Sequence, residues 1–231
     1  NSCISATRNV DYIFHAAALK QVPSCEFYPM EAIKTNIIGT SNLLEAVKST
    51  SVKKCIFLST DKSVYPINAM GMTKALMEKV VISSSKNNKK NKVFCITRYG
   101  NVMGSNGSVI PFFINKKKEG KLPITSEKMT RFNISLQGGV DMVMHALEHA
   151  WGSELFVPKI PSYKILDVAE AIGPECKKPV VGIRPGEKIH EEMITVSDSI
   201  NTVDLGKYFA ILPSAGEYSV ESYCAAHGGQ S

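Results

Sequence analysis

An α/β fold, with a doubly wound parallel sheet and a smaller C-terminal α/β portion, is predicted by three features of this 231-residue chain. Short apolar and β-branched runs alternate with long segments whose apolar positions recur at helical spacing. Two of those runs end abruptly in small or polar residues, as strands do where α/β sheets present side chains to a crevice. Hydrophobic content of 44% is enough to bury a sizeable core in one large or two unequal domains.

Taken in order, residues 1–10 are polar, and residues 11–18 (Asp-Tyr-Ile-Phe-His-Ala-Ala-Ala) read as a short buried strand. Its closing alanines would let a flat or phosphorylated ligand approach closely. Pro23 and Pro29 bracket a loop, and Ile33, Ile37, Leu44 and Val47 then mark a helix over 30–47. Asn36 lies within that helix, where its amide can turn inward to bond backbone. Residues 54–59 form the next strand, 69–85 a helix with Met70, Met77, Val80, Val81 and Ser84 along one side, and 94–99 a third strand. The glycine-rich loop 100–108 lacks GxGxxG and opens no helix in the manner of a dinucleotide phosphate loop, so it reads as substrate-contacting.

Past that loop, 109–118 reads as helix, 122–125 as strand, and 135–149 as helix with Val140, Val143, Met144 and Leu147 inward. Strands at 155–158 and 180–183 flank a helix near 165–172. The expected division is a core at 1–105, a mixed substrate-binding portion at 106–216 that partly returns to the core, and a poorly ordered tail at 217–231.

Composition narrows the function classes. The net charge of +6 is concentrated in Lys-rich runs at 86–92 and 116–118, which no aromatics interleave for base stacking. An anionic small molecule suits this charge better than nucleic acid. The six cysteines are scattered without a CxxC pair, so neither a disulfide framework nor a zinc site is expected. His145 and His149 lack the Glu of a zinc protease helix and read as a solvated face; His190-Glu191-Glu192 has no second His, and no metal is expected. No stretch approaches 18 apolar residues, so no membrane segment is expected, and a reducing cytoplasm fits.

The chemistry concentrates at residues 58–74. A hydrophobic strand ends in Ser59, Thr60, Asp61 and Lys62, and the following helix carries Lys74. A lysine whose proton affinity is lowered by burial can act as a base, and a carboxylic acid held neutral can donate a proton. Together they suit removal of an acidic C–H with loss of a neighbouring oxygen. Arg131 and Arg184 supply guanidinium forks of the kind that bind diphosphates.

These residues, with His15-Ala16-Ala17-Ala18-Leu19-Lys20-Gln21-Val22-Pro23, Lys34-Thr35-Asn36, Arg98-Tyr99-Gly100-Asn101-Val102, Gly107-Ser108-Val109-Ile110-Pro111, residues 129–132 and 183–188, resemble the inverting UDP-N-acetylglucosamine 4,6-dehydratases. These are extended short-chain dehydrogenase/reductases of bacterial polysaccharide and flagellin-glycan biosynthesis. The resemblance covers residues 11–212, and Thr60-Asp61-Lys62 is its most specific part, since retaining dehydratases carry Asp-Glu there. It implies a Rossmann-like core, NADP (or NAD) as cofactor, UDP-N-acetylglucosamine as substrate, and a homo-oligomer at full length. Oxidation at C4 acidifies the C5 proton; Lys62 removes it and Asp61 protonates the departing C6 hydroxyl, with no net redox change. Thr60 would bond the C4 oxygen and Lys74 the nicotinamide ribose. Ala16, Ala17, Asn36, Met70, Lys74 and Val102 would line the cofactor, and Lys20, Ser59, Thr60, Asn101, Arg131, Arg184 and Glu187 the nucleotide sugar.

Two departures qualify that pattern. The superfamily Tyr-x-x-x-Lys becomes Met70-Gly71-Met72-Thr73-Lys74, and a thioether cannot take the C4 hydroxyl proton. Met70 also resembles the branch that couples dehydration to C5 epimerisation, whereas residues 156–162 resemble the soluble flagellin-sugar branch. The family's first strand and phosphate loop precede the segment matched by His15, yet only 14 residues do so here, so the chain is expected to be N-terminally truncated, unstable and a poor NADP binder. An impaired nucleotide-sugar-binding remnant, or an epimerase or reductase of the same superfamily, are the alternative readings.

Overall fold

The structure, a computed structural model, describes residues 2–86, 92–214 and 218–231; most of the Lys-rich run at 86–92 lies outside the described residues. In chain order the elements are α1 (Ser2–Ala6), β1 (Tyr12–His15), α2 (Val22–Phe27), α3 (Pro29–Ala32), a π-helical stretch (Ile33–Ile38), α4 (Gly39–Lys48), β2 (Lys54–Thr60) and α5 (Ala69–Lys86). There follow β3 (Val93–Tyr99), β4 (Asn101–Val102), α6 (Val109–Lys116), β5 (Thr130–Ile134), α7 (Leu136–His149), β6 (Leu155–Pro158), β7 (Ser162–Lys164) and α8 (Ile165–Ile172). The last are α9 (Val196–Ser199), β8 (Thr202–Asp204), β9 (Tyr208–Ile211) and α10 (Val220–His227).

A six-stranded sheet in the order β1-β2-β3-β6-β9-β8 forms the middle layer. Its first four strands run parallel, with Phe14 opposite Ile56 and Ile56 opposite Cys95, whereas β9 and β8 complete it antiparallel. Over β2, β3 and β6 both faces are buried; at the β1 edge Tyr12 and Phe14 are 50% and 47% exposed, so β1 is not the buried strand its sequence suggests. Cys55, Phe57, Phe94 and Ile96 face Leu44 and Val47 of α4 and Met77 and Val81 of α5. The alternate residues Ile56, Cys95 and Phe156 face Met142 and Ala146 of α7 and Tyr223 of α10. The two-residue period of each strand thus feeds two helical layers. A three-stranded sheet, β4-β5-β7, sits with α6 and α8 over a separate core of Phe113, Leu122, Ile124, Met129 and Ile165.

The strands over 54–59, 94–99 and 155–158 and the helices over 69–85 and 165–172 lie where sequence pattern places them. Several expectations need correction. The segment between Pro23 and Pro29 is no loop, because α2 runs over Val22–Phe27 with Pro23 in its first turn, where no intrahelical N–H is needed. Residues 122–125 and 180–183 form no strand: only isolated bridges join Lys121 to Lys177 and Ile124 to Val180. Pro179, Gly182 and Pro185 interrupt the ladder, and Val180, Val181 and Ile183 are exposed. On α7 Val143 and Leu147 pack on the core as expected, beside the buried Met142 and Ala146, while Val140 and Met144 are 47% and 42% exposed, so only part of the expected stripe faces inward. His145 is not on a solvated face, because it stacks on His149 and packs against Phe156 and Tyr208.

The tail is the last correction. Residues 220–227 form α10, opened by a capping box in which Ser219 Oγ accepts from Ser222 N and Ser222 Oγ accepts from Ser219 N. Tyr223 is fully buried, and Gln230 bridges to Asp204. A polar, Gly-ended composition hides a helix that one large aromatic anchors. Ser219→Ala should cost about 1 kcal/mol and loosen α10 first; unchanged amide exchange over α10 would show that the cap carries no stability.

Candidate active site

β2 ends between β1 and β3, and a single 3-10 turn, Asp61–Ser63, carries the chain off it. Thr60 starts that turn, its hydroxyl accepting from Lys62 N at 3.4 Å. The turn brings Asp61 and Lys62 into direct contact: Lys62 Nζ donates to Asp61 Oδ1 at 3.0 Å, and Thr60 Oγ1 donates to the same oxygen at 2.9 Å. Asp61 is fully buried, and its second oxygen, Oδ2, has no hydrogen-bond partner. Burying an unsatisfied carboxylate oxygen is costly, so Oδ2 is a candidate contact for a group outside the chain. Asn101 of β4 accepts from Lys62 Nζ at 3.1 Å, so the loop after β3 closes over the turn.

α5 is pinned beneath. Asn68 Oδ1 accepts from Gly71 N at 2.7 Å, and a Cβ built on Gly71 would lie 2.2 Å from the Lys62 carbonyl oxygen. That approach admits only hydrogen. One turn on, buried Lys74 donates to Leu58 O at 2.6 Å. Burial lowers the Lys74 ammonium to about 8, with Glu78 opposing the shift. An unfolded Lys74 titrates near 10.5 and the folded one near 8, so between these pH values the unfolded chain holds a proton that the folded chain has shed. Stability therefore rises with pH across that window, by about 3 kcal/mol at most, and the full burial penalty applies below it. Urea midpoints at both ends of the window should rise more in the parent than in Lys74→Met; equal slopes would mean that Lys74 keeps its proton.

Beneath the strand end, Glu78 accepts from Ser59 Oγ, Ser63 Oγ and Arg98 Nε and Nη2. Arg98 also donates to Met193 O. Ser59, expected at the substrate, is turned into this buried network instead, because strand alternation sends it to the face opposite its neighbours.

The remaining expected residues separate into groups. Arg131 is buried and donates to the Thr130, Lys188 and Ile189 carbonyls, which fixes the 183–191 loop over the site. Arg184 is exposed and lies 3.8 Å from Glu187, whose Oε2 is buried without a partner. Lys20 reaches Asn106 O, tying the loop after β1 to the glycine-rich loop. Asn36 clamps that same loop from the π-helical stretch, accepting from Leu19 N and donating to Leu19 O and Thr73 Oγ1. Ala16 and Ala17 are exposed just past β1, Val102 is half-buried in β4, and Met70 is buried against Cys25 and Ala32. Met70 is thus a packing residue in the structure, with its thioether in a small satellite core.

Glu191 was not singled out by its sequence, which offered only a failed metal pattern. Its Oε1 lies 3.9 Å from Lys62 Nζ and its Oε2 3.5 Å from Lys188 Nζ. Burial raises its carboxyl; Lys62 opposes that shift, Asp61 adds to it, and Arg131 and Lys188 oppose it. Among the described residues no group of three or more His, Cys, Asp or Glu is placed to hold a metal ion, and no helix is long and apolar enough to cross a membrane.

Comparison with known proteins places this arrangement among relatives. Residues 1–213 match the profile of a family described as polysaccharide biosynthesis protein. The chain is 51% identical over 217 residues to a Rickettsia bellii protein named UDP-glucose 4-epimerase, covering 91% of this chain and 64% of the relative. It is 49% identical over 214 residues to the inverting UDP-N-acetylglucosamine 4,6-dehydratase of Campylobacter jejuni, again covering 91% of this chain and 64% of the relative. The chain thus spans somewhat under two thirds of these relatives. The X-ray structure of Pen from Bacillus thuringiensis superposes with a TM-score of 0.88 at 37% identity, covering 94% of this chain and 69% of that one.

Proposed function

Because the chain belongs to the polysaccharide biosynthesis protein family that it matches over residues 1–213, we propose that it forms the catalytic part of a C5-inverting UDP-N-acetylglucosamine 4,6-dehydratase. The observation that carries this reading is the Asp61–Lys62 contact of 3.0 Å at the end of β2, with Asp61 Oδ2 unpartnered. An epimerase needs only reversible oxidation at C4. An elimination needs a base and an acid on adjacent carbons, and this pair supplies both.

Lys62, neutral, takes the C5 proton while Asp61 passes a proton from Oδ2 to the departing C6 hydroxyl, which leaves as water. The pair then stands as ammonium and carboxylate, the hydrogen-bonded state described above. Proton transfer from Lys62 Nζ to Asp61 Oδ1 across that contact, with the carboxyl proton then shifting to Oδ2 through solvent, returns the pair to neutral amine and acid. After hydride returns to C6, a solvent proton adds to C5 from the opposite face. Thr60 Oγ1 lies beside Asp61, within the strand end that would receive C4, and Asn101 orients Lys62. The exposed Ala16 and Ala17, the tied loop at Leu19 and the buried Lys74 fit a nicotinamide dinucleotide laid across the strand ends. When bound, that group supplies reversible hydride acceptance; NADP is proposed. Lys74 would hold its ribose, while Arg131, Arg184 and Glu187 border the nucleotide-sugar side.

The relatives named UDP-glucose 4-epimerase support a second reading, reversible inversion at C4. Incubating the complete protein with UDP-N-acetylglucosamine in deuterated water separates the two. A 4-keto-6-deoxy product with deuterium at C5 supports the dehydratase; conversion of UDP-glucose to its C4 epimer without that product supports the epimerase. Silence with both substrates leaves the binding remnant. The family description fits a place for this product in the synthesis of a bacterial surface polysaccharide.

A further inference from the structure

Glu191 faces the Asp61–Lys62 pair, yet it takes no part in the proton transfers above. Its side chain is buried, and Oε2 makes no hydrogen bond. The Lys62 ammonium has Asp61 Oδ1 at 3.0 Å, Asn101 Oδ1 at 3.1 Å and Glu191 Oε1 at 3.9 Å. The charged groups facing Glu191 are Lys62, Asp61, Arg131 and Lys188. Its position is fixed from two sides. Arg131 holds the Lys188 and Ile189 carbonyls, and Lys188 Nζ donates to Val64 O, just past the Asp61–Ser63 turn. A carboxylate held this rigidly beside a base stabilises positive charge as it develops there.

We propose that Glu191 is a positioning residue that acts through Lys62, its carboxylate stabilising the charge Lys62 gains on taking the C5 proton. The inference rests on the dehydratase reading. In the step, the C5–H bond breaks and an N–H bond forms on Lys62, while the C6–O bond breaks with the proton from Asp61. Glu191 gives and takes no proton in this step. Asp61 alone cannot do this work, because it loses its own proton in the same step and must be neutral beforehand.

The test compares the complete wild-type protein with Glu191→Gln, which keeps the shape and removes the charge, and with Glu191→Asp. In Glu191→Gln, kcat should fall about tenfold with KM nearly unchanged, and the acid limb of the kcat profile should move down by about one pH unit. Independently of turnover, acetylation of Lys62 by acetic anhydride at pH 8, followed by mass spectrometry, should be several-fold faster in Glu191→Gln. Exposed Lys53 should not change, and Glu191→Asp should return towards the slow rate. An unmoved acid limb with unchanged Lys62 acetylation would overturn the inference and make Glu191 a structural residue, while wild-type deuterium incorporation at C5 left the dehydratase reading standing. No incorporation by the wild type would overturn that reading and the role of Glu191 with it, however Lys62 acetylation responds.

Discussion

Lys62→Ala should lower turnover of UDP-N-acetylglucosamine by about 10²–10⁴-fold and abolish solvent deuterium at C5. Lys62 donates to both Asp61 and Asn101 from one ammonium, so its loss removes the base and the link between the β2 end and the glycine-rich loop. The side chain is partly exposed, so the fold itself should survive, which circular dichroism would show. Asp61 keeps the Thr60 hydroxyl as a partner in that variant. Oxidation at C4 does not need the lysine, so a slow release of 4-keto sugar without C5 exchange would refine the assignment. Continued C5 exchange at the wild-type rate would show that the base lies elsewhere.

Arg98→Met should destabilise the protein by about 3–5 kcal/mol, because it strands Glu78 in the core. Arg98 and Glu78 are both buried and meet at 2.7 Å, with Ser59 and Ser63 also donating to the carboxylate. Burial alone would depress the Arg98 guanidinium, but the adjoining Glu78 carboxylate, its hydrogen bonds and Asp198 raise it instead. A protein of this length should lose on the order of 10 °C in Tm, read by calorimetry. The double variant Glu78→Leu/Arg98→Met should recover much of that loss, since no charge is then left unpaired. A Tm within 2 °C of the parent for Arg98→Met, on the order of a 0.5–1 kcal/mol cost, would mean that water already solvates Glu78. The ion pair also braces the floor of the site: Ser63 bridges Glu78 to Thr60 O, so the double variant should fold well and turn over poorly.

The Asp61–Lys62 contact was legible because it is local. Thr60, Asp61 and Lys62 are consecutive, and the apolar run before them identifies the strand that delivers them. Asn36 was legible for a similar reason, since an amide inside an apolar helix must find a partner, and Leu19 provides it. The place of Glu191 beside the Asp61–Lys62 pair was not legible, because it depends on a loop folding back from far along the chain, held by Arg131 through backbone carbonyls that no side-chain pattern encodes. The resemblance put Ser59 at the substrate and Met70 at the cofactor, whereas in the structure Ser59 bonds Glu78 and Met70 packs in the small core around Cys25. The alternation of strand and helix that makes a parallel sheet was legible up to β3. β8 and β9 are short, and their antiparallel return depends on pairing with β6, a long-range contact.

The wide turn at Ile33–Ile38 carries more chain per turn than an α-helix, and it is there that Asn36 reaches across to Leu19 and Thr73. Removing one residue from it would give a smoother rod between α3 and α4 and, by helix energetics alone, a sturdier protein. The same edit would rotate Asn36 out of register and free the loop that Lys20 ties to Asn106. Directed evolution for heat resistance and directed evolution for turnover should therefore choose opposite outcomes at this one segment.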